Sequence, residues 1–287
     1  MKKILALLIV LISWQVYGQR LEWLKLKPYR IAQLNKTLKE TSALEFRNGK
    51  LFTLNDSGNT ADLFEIDVMD GHIVNVIPTG LQNKDWEALA SDGISFFIGD
   101  VGNNNGDRKD LTVYKWTDSA TVALPYFYPE QSDFTSSPLA TDFDAEAMIH
   151  LNGSLHIFTK EWLSKGTTHY ILKTESEAKQ AAQKAEYVHL GYAVTDAAYH
   201  KGYLYLVGYT RKADVYMSIF KETEPGVFFG EKGRKFYLGS SLTIGQIEGI
   251  AVNEKGIYIS GEELNIPIFK VKPYFYFIQA EKVQPLP

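Results

Sequence analysis

The chain has no cysteine in 287 residues, so it forms no disulfide and carries no lipid attached through a cysteine. Its six histidines show no metal-ligand spacing, and His150 and His156, which flank one turn, read as a surface pair. There is no basic stripe. With a net charge of −4 and lysines interleaved with acids, the sequence does not offer a nucleic-acid surface. GxSxG, Walker and HExxH motifs are all missing, and no nucleophile–base pair stands out. Past the first eighteen residues no apolar run could span a membrane.

Those eighteen residues read as a signal peptide. Lys2 and Lys3 give a positive start, residues 4–12 an apolar run, and Val16-Tyr17-Gly18 a cleavage site before Gln19. The run is shorter than the roughly 20 residues a bilayer anchor needs. The expectation is an exported protein, periplasmic or secreted, with residues 19–287 forming one domain.

What the sequence does have is repetition. The composition is 45% hydrophobic, with 17 Tyr and 16 Phe, which favours strands. Five segments line up: TSALEFRNG from Thr41, WEALASDG from Trp86, AEAMIHLNG from Ala145, TDAAYHKG from Thr195 and IEGIAVNEKG from Ile247. Each has a polar head (Ser42, Glu87, Glu146, Asp196, Glu248), then Ala or Gly, then a turn glycine. The head-to-head spacings are 45, 59, 50 and 52 residues. A second apolar run follows each turn: KLFTLNDSGN, SFFIGDVGNN, LHIFTKEWL, YLYLVGYTRK and IYISGEELN. The third runs are LFEIDV, LTVYKW, HYILKT, VYMSIFK and IFKVK, and fourth runs occur at HIVNVIPTG, VALPYFY, AEYVHLGY and RKFYLG.

Four strands at a period near 50 predict an all-β fold, a β-propeller of five four-stranded blades. A sixth, poorly marked blade and a two-sheet sandwich are the alternatives. YRIAQLNKTLKE resembles the fourth strands, so residues 28–36 are expected to complete the last blade and close the ring. Residues 175–185 have helical composition and predict a short surface helix, and residues 129–143 predict a loop.

In an antiparallel hairpin the start of one strand lies beside the end of the next. The heads Glu87, Glu146, Asp196 and Glu248 should therefore converge at one mouth of the central channel, with Ser42 breaking the ring of acids. At roughly 6–8 Å and an effective dielectric near 20, each like-charged pair costs about 2 kcal/mol. A bound cation, strongly raised pKa values or the local cations Lys160 and Arg211 are the candidates to offset this. The alternative is that the acids accept hydrogen bonds from free backbone N–H groups of neighbouring blades and lock the ring. Oxygen-only ligands favour Ca²⁺ over Zn²⁺. Around these candidate metal ligands the sequence offers a rim of Asp56, Asn59, Asp85, Asp100, Asn103, Asn104, Lys160, Arg211 and Glu262. The near copies Asp56-Ser57-Gly58-Asn59 and Asp100-Val101-Gly102-Asn103 also read as tight turns. Trp86 and Trp162 are candidates either for stacking at the rim or for the core.

The Glu-Gly-Ile-Ala run at 248–251, the Glu-Ala motifs at 87 and 146 and the Asp-x-Gly-Asn turns resemble exported bacterial propellers of the SdiA-regulated family. Phytase-like "esterase-like" propellers and five-bladed calcium-dependent apyrases are more distant comparisons. The resemblance implies a five- or six-bladed propeller with Ca²⁺ near the channel mouth. It extends to Glu87, Glu146 and Glu248, less well to the shorter Asp196, and not to Ser42. The enzymatic relatives imply phosphoester or nucleotide hydrolysis, but their richer acid and base clusters are not found here. Three readings follow. The first is a monomer binding a small molecule or envelope protein at an acidic mouth with Ca²⁺. The second is a hydrolase in which Glu87 or Glu146 positions water and Lys160 or Arg211 steadies charge. The third is a scaffold needing no ligand.

Overall fold

The computed structural model describes residues 21–175, 178–266 and 269–283. The expected signal peptide lies outside the described residues. Five of the sheets of the described chain, each built on four antiparallel strands, close into a five-bladed propeller, and Leu21–Trp23 adds in parallel to the outer strand of the fourth. Blade 1 comprises Thr41–Arg47, Lys50–Asn55, Asp62–Ile66 and Ile73–Pro78. Blade 2 comprises Trp86–Ser91, Phe96–Asp100, Thr112–Trp116 and Thr121–Phe127. Blade 3 comprises Asp144–Leu151, Ser154–Lys160, Gly166–Lys173 and Gln183–His189. Blade 4 comprises Ala193–His200, Tyr203–Tyr209, Asp214–Lys221 and Arg234–Ser240. Blade 5 takes Gln246–Asn253, Gly256–Glu262 and Tyr274–Gln279 from the end of the chain, and Arg30–Gln33 from its beginning. Arg30–Gln33 pairs antiparallel with Tyr274–Gln279, closing the ring as expected.

Five hydrophobic cores, one between each adjacent pair of blades, decide the blade number. Phe52, Leu54 and Leu63 of blade 1 meet Trp86, Leu89 and Ile98 of blade 2. Ala88, Ala90 and Phe97 face the other way, onto Met148, Leu155 and Ile157 of blade 3. Blades 3 and 4 share a third core and blades 4 and 5 a fourth. The fifth joins Ala251, Tyr258 and Phe275 of blade 5 to Leu44, Leu51 and Phe64 of blade 1, leaving no gap for a sixth blade. Because both faces of a blade are covered, its middle strands read as apolar runs rather than clean alternations. Trp86 is fully buried in the core between blades 1 and 2.

Two local expectations fail. The third strand of blade 5 is Tyr274–Gln279, not the IFKVK segment. A third strand is packed on both faces, and Phe275, Tyr276 and Ile278 are all buried, as that position demands. Phe269–Val271 instead pairs with Leu264–Ile266 in a separate two-stranded hairpin. The expected helix at 175–185 is also absent from the described residues. Gln180–Ala181 adds in parallel to the outer strand of blade 2, and Gln183–His189 is the outer strand of blade 3. Pairing with an open sheet edge overrides helical composition there. Residues 129–143 form a loop with no strand or helix, as expected.

Candidate functional site

Each innermost strand skips one residue in its pairing with the second strand. The skips fall between Thr41 and Ala43, Trp86 and Ala88, Ala145 and Ala147, Val194 and Asp196, and Ile247 and Gly249. The bulged residues are Ser42, Glu87, Glu146, Thr195 and Glu248. A bulge re-aims its side chain, and here it turns Ser42, Glu87, Glu146 and Glu248 toward one mouth of the channel. In four blades a small residue follows (Ala43, Ala88, Ala147, Gly249), and in blade 4 it is Asp196. At Gly249 the close approach of the blades demands it. A Cβ on Gly249 would lie 2.2 Å from Ser260 Oγ and 2.9 Å from Leu44 Cγ of blade 1.

A cavity of about 620 Å³ opens at this mouth. Glu87, Glu146 and Glu248 line it together with Asp56, Asn104, Lys160, Arg211 and Glu262 from the expected rim. On the side of blades 1 and 2, carboxylate oxygens of Asp56, Asp85 and Glu87 all lie within 4.8 Å of one another. Ser42 Oγ donates to Glu87 Oε2 at 2.7 Å, and the Ser57 N–H donates to Asp56. Arg108 lies 3.9 Å from Asp85 Oδ2, and Lys160 acts electrostatically on Asp56 and Glu87. Burial, then the Asp56 charge, pushes the Asp85 carboxyl up to about 6. Burial, then Glu146 and Asp56, lifts Glu87 well above the usual range. A bare backbone permits the crowding, since a Cβ on Gly102 would sit 2.4 Å from Asp85 Oδ2 and 2.9 Å from Glu87 Cγ.

The opposite wall belongs to blades 3, 4 and 5. Buried Lys160 is ion-paired with Glu146 Oε1, while Glu146 Oε2, also buried, has no hydrogen-bond donor. Burial opposes the charge on Lys160, but Glu146, Tyr209 and Glu248 around it hold its pKa well above normal. Tyr209 donates to Glu248 Oε1 at 2.8 Å, and Gln246 Nε2 reaches the Tyr209 hydroxyl at 3.3 Å and Glu262 Oε1 at 2.5 Å. Burial raises both Glu248 and Glu262. The Lys160 ammonium lies 5.5 Å from the ring centres of both Trp162 and Tyr209. The Arg211 guanidinium lies 5.4 Å from Trp162, and one of its N–H groups donates to the Leu139 carbonyl.

Asp196 is not at the mouth. The bulged residue of blade 4 is Thr195, whose hydroxyl donates to the Ile247 carbonyl at 2.6 Å. Asp196 is one residue further on, fully buried. Its Oδ2 accepts the N–H groups of Leu44 in blade 1 (3.2 Å) and Ile250 in blade 5 (2.7 Å), and its Oδ1 accepts Ala197 N–H (2.8 Å). Burial raises its pKa and the three N–H groups oppose that rise. Innermost strands have an unpaired edge facing the axis, and Asp196 satisfies N–H groups on two of them. For this residue the hydrogen-bond alternative, not metal ligation, describes the geometry.

Four rim candidates do not line the cavity: Asp85, which reaches it only through its neighbours Asp56 and Glu87, and Asp100, Asn103 and Asn59. Asp100 is buried against Arg108 at 2.8 Å. Asn103 ties blade 2 to blade 3: its N–H reaches Asp144 Oδ1 at 2.6 Å and its side-chain amide the Phe143 carbonyl at 3.0 Å. Asn59 closes its own turn by donating to the Asp56 carbonyl at 3.1 Å, and also reaches Glu40 at 2.6 Å. His150 and His156 do not pair. His150 stacks on Phe97, and His156 Nδ1 meets buried His169 Nε2 at 2.8 Å.

Sequence reasoning did not count Tyr209 in the site. It missed Gln246 and the hairpin residues Leu264 and Ile266, which line the cavity. Gln246 was legible as the residue opposite Glu262 in the inner hairpin. The hairpin had no such signal, because its segment reads as an ordinary strand.

No family profile matches the sequence, and no curated protein matches it. Among solved structures, the nidogen/laminin complex is similar at 12% identity and a TM-score of 0.45, covering 78% of this chain and 72% of that one. The hydrazine synthase of Kuenenia stuttgartiensis is similar at 10% identity and a TM-score of 0.43, covering 85% of this chain and 64% of that one. At these values neither likeness bears on function.

Proposed function

We propose that this propeller binds a small ligand at the acidic mouth of its channel, with a divalent cation, Ca²⁺ by its chemistry, held by Asp56, Asp85 and Glu87. One observation carries the reading: the mutual 4.8 Å limit of the three carboxylates. Oxygens on a sphere of roughly 2.4 Å radius, the middle of the Ca–O range, are at most about 4.8 Å apart. All three acids are hard oxygen ligands, and burial makes their charge costly, with Arg108 beside Asp85 and Lys160 acting on Asp56 and Glu87 offsetting it in part. Three monodentate carboxylates would leave open several of the six to eight positions Ca²⁺ fills, and these would face the cavity. Bound there, the ion would supply positive charge and coordination sites for ligand oxygens.

Export by a cleaved signal peptide, and membership of an SdiA-regulated-type group, belong to this reading through the features of the sequence. The hydrolase reading has less support, because Lys160 is bound to Glu146 and Arg211 lies on Trp162. The test is calorimetry and thermal melting with Ca²⁺ and with chelator. Ca²⁺ is expected to raise the melting temperature of the wild type and to leave Glu87→Gln unmoved. No heat and no shift at millimolar Ca²⁺ would remove the ion from the account.

A further inference from the structure

The wall opposite the carboxylate triad has its own charge imbalance. Among the described residues Lys160 is its one buried cation, with Arg211 exposed on Trp162, and Glu146, Glu248 and Asp144 all act on Lys160 electrostatically, with Glu262 close by on Glu248. Glu146 is 2% exposed and lines the cavity, yet only its Oε1 is engaged. Glu146 Oε2 has no donor. A buried carboxylate oxygen left without a donor costs free energy that a polar ligand can recover. Glu248 and Glu262 draw their hydrogen bonds from Tyr209 and Gln246, which are neutral donors and do not cancel charge.

We infer that this wall is a subsite for an organic ammonium group, a primary amine carried on a small ligand. Three features select a cation over a neutral hydroxyl or an anion. Glu146 Oε2 needs a donor, and an ammonium brings three. Glu146, Glu248 and Glu262 outnumber Lys160 and the exposed Arg211, so a phosphate or carboxylate would be repelled at the buried end while an ammonium would lower the field. The half-buried rings of Trp162 and Tyr209 also line the cavity, each 5.5 Å from one ammonium, and aromatic faces attract cations. Leu242 and Leu264 at the rim of the cavity provide apolar surface for the carbon chain that bears the amine. The inference rests on the ligand-binding reading of the cavity and not on the ion, because the triad is a separate group of residues.

The experiment compares 1,5-diaminopentane with 1,5-pentanediol, which matches it in length and lacks its charge. Both are titrated calorimetrically in chelator-containing, low-salt buffer. The diamine is expected to bind wild-type protein and the diol not to. Binding should weaken roughly tenfold or more in Glu146→Gln, the usual scale for losing a hydrogen bond to a charged group. Circular dichroism would show that this variant is folded. Glu262→Gln, which breaks no buried ion pair, should weaken binding severalfold and replaces it if Glu146→Gln does not fold. No heat with the diamine, equal heat with the diol, or undiminished binding in the variants would overturn the inference. Diamine binding without any Ca²⁺ response would retire the ion and keep the subsite. A Ca²⁺ response without diamine binding would do the reverse.

Discussion

Replacing Asp196 separates a structural tie from a metal ligand. Its carboxylate accepts three N–H groups, from Leu44, Ala197 and Ile250, and so fastens blade 4 to blades 5 and 1. Asp196→Ala would leave these donors unpaired in a fully buried position. At roughly 1–3 kcal/mol per orphaned buried group, with some relief from water entering the channel, the expected loss is about 4 kcal/mol. For a domain of this size that lowers the melting temperature by roughly 10 °C. Asp196→Asn keeps one oxygen, which can retain both interblade bonds on the Oδ2 side while its NH₂ faces Ala197 N–H. The expected loss is then a single group, about 1–2 kcal/mol. Melting in chelator and in Ca²⁺ by circular dichroism reads both variants. The loss should be the same in the two buffers, and the Ca²⁺ shift should survive. An Asp196→Ala protein that melts with the wild type, or one that is intact in chelator but has lost its Ca²⁺ response, would refute the reasoning.

Gly102→Ala should push Asp85 and Glu87 apart, because the new Cβ collides with both. Ca²⁺ affinity measured by calorimetry is expected to fall by an order of magnitude with little change in fold. Burial, then the neighbouring His169, depresses His156 to about 4. The unfolded chain takes up this proton near 6.5 and the folded chain resists it, so stability is intact above 6.5 and declines as pH falls toward 4, with a slope of at most about 1.4 kcal/mol per unit. Denaturant melts of wild type and His156→Gln across that window should differ in slope. Glu45 on the inner strand of blade 1 is pushed by burial up to about 8. Its folded form keeps a proton that the unfolded form has released, so stability declines as pH rises from about 4.5 to 8. Glu45→Gln should flatten that decline, and a variant that tracks the wild type would remove Glu45 as its source.

The blade count was legible because a blade is a local unit: two hairpins recur, and their turns and apolar runs recur with them. The closing strand was legible because Arg30–Gln33 must look like the fourth strands it replaces. The offset at Asp196 arose from lining up acids instead of bulges. Thr195 precedes Gly202 by seven residues, as Ser42 precedes Gly49 and Glu146 precedes Gly153, so the spacing permitted Thr195. Acidity pointed to its neighbour because both residues are polar and only the pairing register tells them apart. Asp56 and Asp85 were placed on a rim because they lie in connecting segments. Their convergence with Glu87 depends on how two blades meet, which no single repeat encodes. The failure at 175–185 has the same origin, since an edge of blade 2 recruits a segment from far along the chain.

The strand Arg30–Gln33 also sets a timetable. It is among the first described residues to be made, and its partner Tyr274–Gln279 is among the last. Four blades can each pair their own strands as the chain emerges, but the fifth must wait with its outer strand already present and unmatched. Until then Leu34 and Phe275, which share one core in the finished molecule, remain open to water and to other chains. Pairing so distant in sequence is slow to form and prone to error while it waits. A chain that stops short of residue 274 therefore loses more than one strand: it lacks the closure that would hold its other end.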